Sequence, residues 1–232
     1  MNFNMFKSNL KNFGLAKALA DVALRAVNRI LVLRVLKGIK IERVDATFLE
    51  ADSMYRGLFL TEEMLREFAA DPKNELSGAF LDEALSKGDE CYGFVCGSTL
   101  SAYGWYSRRP TDLDLPGLRL HFDDRYVYMY KGFTAASHRG KRLHAVGMTC
   151  ALESYLGRGY RGIVSYVEWD NFCSLRSCYR MGYRDFSAVT IVGGRGYYII
   201  YHDRGCSDLR FRVEHIRKPQ EGWLDSRSMR AS

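Results

Sequence analysis

From residue 15 to residue 36 the apolar positions recur at helical spacing. Leu15, Leu19, Val22, Ala23, Ala26, Val27, Ile30 and Leu33 share a face, while Lys17, Asp21, Arg25, Asn28 and Arg29 lie largely elsewhere. This predicts an amphipathic helix that ends at Gly38. Residues 39–44 then alternate Ile, Ile and Val against Lys, Glu and Arg, the pattern of a half-buried strand. Helical segments are predicted over residues 46–58, 61–70 and 75–86, with Asp71-Pro72 as punctuation. Beyond Gly88-Asp89 the period becomes two. Strands at 92–96 and 100–107 flank Gly97-Ser98-Thr99, a hairpin signal. A polar loop with Pro110 and Pro116 leads to a second pair, 118–122 and 126–133, turned at Asp123-Asp124.

The second half alternates between the two periods. A loop at 134–141 precedes a helix over 143–158 that Gly159 ends. A strand at 162–167, a helix at 172–181 stopped by Gly182, and strands at 188–192 and 197–201 complete the pattern. A chain of 232 residues can bury one good core. The expected organisation is a helical leader at 1–38, one α/β (α+β) domain at 39–203, and a loosely held tail at 204–232 that shows no clear period.

Charge sharpens the boundary. The net charge of +7 belongs to the first 40 residues, where Lys7, Lys11, Lys17, Arg25, Arg29, Arg34, Lys37 and Lys40 face one acid, Asp21. The rest of the chain is neutral overall. The leader therefore suits an anionic membrane surface, its own domain or a second copy in a homodimer. Nucleic acid is a poor partner, because the leader lacks interleaved base-reading residues and the domain carries no surplus charge. Lys or Arg interrupts each apolar run well short of a bilayer span, and no signal peptide is evident, so the expected location is cytoplasmic. The six cysteines form no C-x-x-C pair and no cluster with His, which predicts reduced buried thiols and no metal site.

The chemistry concentrates in a strand, then Ser137-His138-Arg139-Gly140-Lys141-Arg142-Leu143-His144, then a helix. A basic turn delivered into a helix presents main-chain N–H groups and the positive end of the helix dipole, a place for phosphate oxygens. Downstream stands Asn171-Phe172-Cys173-Ser174, followed by Leu175 and by Tyr179-Arg180-Met181-Gly182-Tyr183. With the order of elements, these two segments resemble the GNAT N-acetyltransferase superfamily over about residues 39–201. Arg139 and Gly140 match the opening of its pyrophosphate turn. Arg142 and His144 depart from it, standing where the family has two small residues.

That resemblance implies a mixed, mostly antiparallel central sheet flanked by helices. It also implies an acyltransferase that passes an acyl group from acetyl-CoA or another acyl-CoA to a small-molecule or protein amine. The cofactor-binding set becomes Phe133 and Thr134 beside the thioester, Arg139, Gly140, Lys141, Arg142 and Leu143 around the pyrophosphate, and Asn171 in the second segment. Many members place a Tyr four residues before the Gly of the second segment; here Cys178 holds that place and Tyr179 follows it. Both become candidate acids for the leaving thiolate, and Glu168, at the end of a strand, becomes the candidate base. His121 and Asp124 are weaker candidates. Tyr126, Tyr128 and Tyr130 alternate along the central strand, with Trp105 and Tyr106 on its neighbour, as a pocket wall or as ordinary strand packing. The acceptor would meet loop 108–117 and the helices after Val44. Extra charge at Arg142 also suits an acyl carrier protein as donor, and the displaced Tyr suits a non-catalytic acyl-thioester-binding protein.

Overall fold

The computed structural model describes residues 31–194 and 197–216. In chain order the elements are β1 (Val32–Ile41), β2 (Arg56–Phe59), α1 (Glu62–Ala69), α2 (Gly78–Ser86), β3 (Glu90–Cys96), β4 (Thr99–Ser107), β5 (Thr111–Asp112), β6 (Leu118–His121), β7 (Tyr126–Thr134), α3 (Leu143–Gly157), β8 (Gly162–Glu168), α4 (Phe172–Arg180), β9 (Arg184–Gly194), β10 (Tyr197–His202) and β11 (Arg212–His215). Eight strands form one sheet in the order β10-β9-β1-β8-β7-β4-β3-β2, and β11, β6 and β5 form a small second sheet. Neighbours are antiparallel except β7 and β8, which are parallel and joined through α3.

Period-two strands give the large sheet two apolar faces. On one, Ile39, Ile41, Val127, Met129 and Ile163 pack against Ala151, Leu152 and Tyr155 of α3 and against Cys178 and Met181 at α4. The other face is shared. Helices α1 and α2 cover Cys91, Tyr103 and Trp105, while Leu118, Leu120, Phe211 and Val213 cover Tyr126, Tyr128, Val164, Val189 and Ile191. Helices α1, α2 and α4 start where a side chain accepts a first-turn amide: Thr61 from Met64, Ser77 from Phe80 and Asn171 from Ser174.

Several expectations require correction. Of the predicted helix at 15–36, residues 15–30 lie outside the described residues, and its end from Val32 onward is strand β1. That strand continues through Gly38, where the pairing with β9 shifts register, so the boundary at 38/39 falls inside an element. Gly38 is there for space, since a Cβ would lie 2.3 Å from Ser187 Oγ and 2.9 Å from the Phe186 ring. The predicted helix at 46–58 is a 3-10 turn at Ala46–Phe48, capped by Asp45, followed by β2. The pair 118–122 and 126–133 is no hairpin. Asp123 takes the backbone N–H and guanidinium of Arg125 while its own N–H bonds Leu209 O, and β6 turns away to pair with β5 and β11. The tail is not loosely held over 204–216: Cys206, Leu209, Phe211 and Val213 are core residues.

Candidate functional site

Strands β7 and β8 are paired only from Tyr126–Tyr128 against Gly162–Val164. Beyond that point β7 stays with β4 as far as Thr134 opposite Ala102, and β8 stays with β1 as far as Glu168 opposite Leu36. The sheet therefore splits into a wedge. Two local features hold it open. The β4–β7 register jumps from Trp105–Lys131 to Tyr106–Met129, which makes Tyr130 a bulged residue and bends β7. At the apex the Ser165 hydroxyl donates to Met129 O at 2.7 Å, a side chain standing where a ladder bond would otherwise be. Along the β8 side of residues 130–134, the main chain of β7 has no strand partner among the described residues.

The open strand runs into a basic turn. After Thr134 come a 3-10 turn at Ala136–His138, extended Arg139, Gly140 at φ +80° with open space where a Cβ would stand, and Arg142 at φ +61°. Helix α3 then begins without a side-chain cap, unlike the other three helices among the described residues, and has no acid in its first turn. Its leading N–H groups and the positive end of its dipole meet a turn whose residues 139–142 are all exposed. Leu143 contributes only main chain to this surface, because its side chain is buried with Tyr55, Phe94, Ala102 and Val146.

No protein-family profile matches the sequence, and no curated protein matches it. Among solved structures, a GCN5-related N-acetyltransferase-like protein from Streptococcus suis superposes with a TM-score of 0.50 at 10% identity, over 77% of this chain and 68% of that one. The chain has the GNAT fold. A Drosophila protein of structural-genomics origin matches with a TM-score of 0.49 at 12% identity; the match takes in 79% of this chain but only 58% of the Drosophila protein's length. An aminoglycoside N-acetyltransferase, AAC(6')-Iy, solved in complex with CoA, matches with a TM-score of 0.45 at 13% identity over 65% of this chain and 95% of its own.

Within this GNAT fold the residues singled out in the sequence separate into two groups. Phe133, Thr134, Arg139, Gly140, Lys141, Arg142 and Leu143 are continuous along the open arm of β7 and the turn into α3. Their side chains have different tasks. Phe133 stacks on Tyr103 at 5.1 Å, and Arg139 Nε reaches Thr134 O at 3.4 Å. Arg142 donates to Thr47 O at 2.7 Å and lies 4.7 Å over the Phe48 ring, so its guanidinium fastens the 46–48 turn rather than facing the open turn. Lys141 makes no hydrogen bond or ion pair among the described residues. His144 lies against Gly132, where a Cβ would come within 2.4 Å of its ring, and burial pulls its pKa below 6.5. Asn171 caps α4.

The candidate acids and base do not converge. Glu168 ends the β8 arm but is ion-paired with Arg34, which also holds Asp114 at 2.6 Å. Burial works to lower the Arg34 pKa, yet the two carboxylates outweigh it and hold the guanidinium above its ordinary value. Cys178 is inside the core, where burial pushes its thiol up to about 11. Tyr179 points out of α4, donating to Asp185 at 2.7 Å and accepting from Lys37 at 3.0 Å. Glu168 shares the face of Val164 and Tyr166, whereas Tyr179 belongs to the opposite face with α4.

The aromatic residues of the central strands pack in different ways, and Tyr126 and Tyr128 belong to the core. Tyr128 stacks on Tyr130 at 6.0 Å and on Tyr166 of β8 at 6.3 Å, so aromatic rings bridge the two arms of the wedge. Tyr130 also donates to buried Asp89 at 3.0 Å, which accepts from Ser107 at 2.6 Å and pairs with Lys87 at 3.1 Å. Tyr126 is instead bonded to Glu42, and Trp105 and Tyr106 are buried on opposite faces. Beside Lys87 an open groove of about 490 Å³ is lined by Glu83, Arg109, Asp112, Arg119 and His121. No three His, Cys, Asp or Glu among the described residues form a group that could hold a metal ion. Sequence reasoning missed Ser165 and Tyr166. The available signal was a polar residue at Ser165 on the apolar side of a strand, in phase with Ile163 and Val167.

Proposed function

We propose that this protein is an N-acyltransferase that takes an acyl group from acyl-CoA, acetyl-CoA first among them, and passes it to an amine. The observation that carries the proposal is the joining of two features: an unpaired stretch of β7 in a split sheet, and an uncapped helix N-terminus immediately after it. The first suits an extended amide-bearing arm, which can bond to main chain as a strand does. The second suits a pyrophosphate. Gly140 leaves room for a phosphate to approach the backbone, and Arg139 and Lys141 supply charge at the rim.

Acyl-CoA supplies an activated thioester carbonyl. In our reading a main-chain N–H of β7 near Phe133 or Thr134 stabilises the charge that develops on that oxygen as the amine attacks. Glu168, at the tip of the other arm and ion-paired with Arg34, attracts the acceptor's ammonium. The ammonium first gives a proton to solvent water, which frees the lone pair for attack. As the tetrahedral adduct collapses and the C–S bond breaks, the second proton shed by nitrogen passes through water to the departing thiolate, leaving amide and free CoA thiol. Tyr128, Tyr130 and Tyr166 form an aromatic side to the wedge, and the groove beside Lys87 and loop 108–117 accommodates the acceptor. One observation favours a second reading, a donor-binding protein without turnover: the place of the acid is taken by buried Cys178, and Tyr179 is fastened to Lys37 and Asp185.

Calorimetric titration of the full chain with acetyl-CoA, a long-chain acyl-CoA and free CoA tests the proposal. Micromolar binding is expected, weakened roughly tenfold by Arg139→Ala or Lys141→Ala, the scale of one charge-assisted hydrogen bond. Binding with no turnover on a broad amine panel supports the second reading. No binding to any of the three overturns acyl-CoA as donor and turns the search to acyl carrier proteins.

A further inference from the structure

Three large side chains of the edge strand β10 stand out into solvent: Tyr197 is 84% exposed, Ile199 77% and Tyr201 68%. Alternation puts them in one row. Register sets Ile199 beside Val192 and Val192 beside Leu33, and likewise Tyr201 beside Thr190 and Thr190 beside Val35. The row is therefore the outer rim of an apolar strip across three strands. It lies on the face that carries α4, because Lys37, in phase with Leu33 and Val35, reaches Tyr179 of that helix. The other side of β10 is committed, with Tyr198 and Ile200 packed on the core and Tyr198 O bonded to the His215 ring at 2.9 Å. An exposed edge strand of sequence YYIIYH, with no Lys or Pro to guard it, is a surface that meets something other than water.

Charge identifies what it meets. Three of the eight cations in the first 40 residues are neutralised within the fold: Arg34 by Asp114 and Glu168, Lys37 by Asp185, and Lys40 by Glu42 at 3.0 Å. The surplus is left on Lys7, Lys11, Lys17, Arg25 and Arg29, with Asp21 as the single acid among residues 1–30. Those residues lie outside the described part, but the chain leads from them directly into β1, where Val32 pairs with Gly193 and Gly193 with Tyr198. The chain that carries this charge thus enters the described fold two strands from the exposed row. Helix α4, on the same face, adds exposed Arg176 and Arg180.

We infer that this face docks on an anionic lipid surface. Tyr197, Ile199 and Tyr201 settle among the headgroups, where a ring with a polar tip is at home, and the basic residues of the leader bind lipid phosphates. A second copy is the poorer occupant, because it would bring the same positive surplus against this one.

The test is vesicle sedimentation of the full chain with phosphatidylserine–phosphatidylcholine vesicles and with phosphatidylcholine alone. Binding to the anionic vesicles is expected to be at least about tenfold tighter than to the neutral ones. It should fall at least about tenfold in Ile199→Asp and in Arg25→Glu/Arg29→Glu. Met54→Asp, which adds the same charge to an exposed residue near the opposite sheet edge, should bind as the unaltered protein does. Melting temperatures of all these variants should be unchanged. Equal binding by Ile199→Asp overturns the inference. So does a dimer in light scattering that Ile199→Asp splits, or a loss of melting temperature in that variant, which would mean that the chain's own leader covers the row.

Discussion

The contact between Gly132 and His144 fixes how closely the first turn of α3 approaches the open arm of β7. Gly132→Ala perturbs it at one point. The new methyl would lie 2.4 Å from His144 Cε1, 3.1 Å from its Nδ1 and 3.0 Å from Met129 Cε, where carbon atoms normally keep about 3.5–4.0 Å. Overpacking of this kind costs about 1–3 kcal/mol. Replacing Gly in a strand returns about 0.5–1 kcal/mol by restricting the unfolded chain. The expected net loss is therefore between about 0 and 2.5 kcal/mol in a denaturant melt, with the proposed acyl-CoA binding weakened as the helix start lifts from β7. His144→Ala in the same background should relieve the clash, so the double variant loses less than the two singles together, by about 1 kcal/mol. A Gly132→Ala protein as stable as the original, with additive effects in the cycle, would refute the reasoning: the ring would simply have swung aside.

Three further outcomes are expected. Phe211→Ala should cost about 3–5 kcal/mol in chemical denaturation, since the ring is fully buried edge-on to Phe186; a cost below about 1 kcal/mol would remove this segment from the core. Arg142→Gly and Arg142→Ala both lose the bond to Thr47, but only glycine relieves the left-handed backbone, so the glycine variant should be more stable by about 1 kcal/mol. Burial holds the His144 pKa below 6.5, so the unfolded chain takes up the proton first: the stability is fully present above about pH 6.5 and is lost as the pH falls towards the folded value. His121 shifts in the same direction, by burial and by Arg212 and Arg119 against Glu214. A His144→Gln protein should therefore show a shallower fall in melting temperature between about pH 8 and pH 5, and an unchanged slope would rule His144 out.

Local patterns carried much of the fold. The strong period-two runs at β3, β4 and β7 and the glycines after α3 and α4 are signals written within a few residues, and the structure follows them. Failures arose where a distant partner decides. Gly38 marks a break in an isolated chain, but β8 and β9 pair with it on both sides and use its missing side chain. Strand β6 was legible at 118–122, but its partner β11 is four residues long and lies about ninety residues further on, so no local period reveals their pairing. The same division applies to the site. The β7 arm and its turn are continuous in sequence and were legible. The tie between Arg34 and Glu168, and the position of Tyr179 beside Lys37, depend on strands brought together only by the fold.

Strand β1 has an implication for how this molecule comes into being. It lies between β8 and β9, and Arg34 and Glu168 are 134 residues apart. This strand, the first among the described residues, thus cannot be paired until β8 and β9 have been made. High contact order of this kind slows folding, and both edges of an apolar strand remain unsatisfied during synthesis. Moving β1 to the other end of the gene, behind β11, would shorten that wait, so a circular permutant should be made with less aggregation than the natural order.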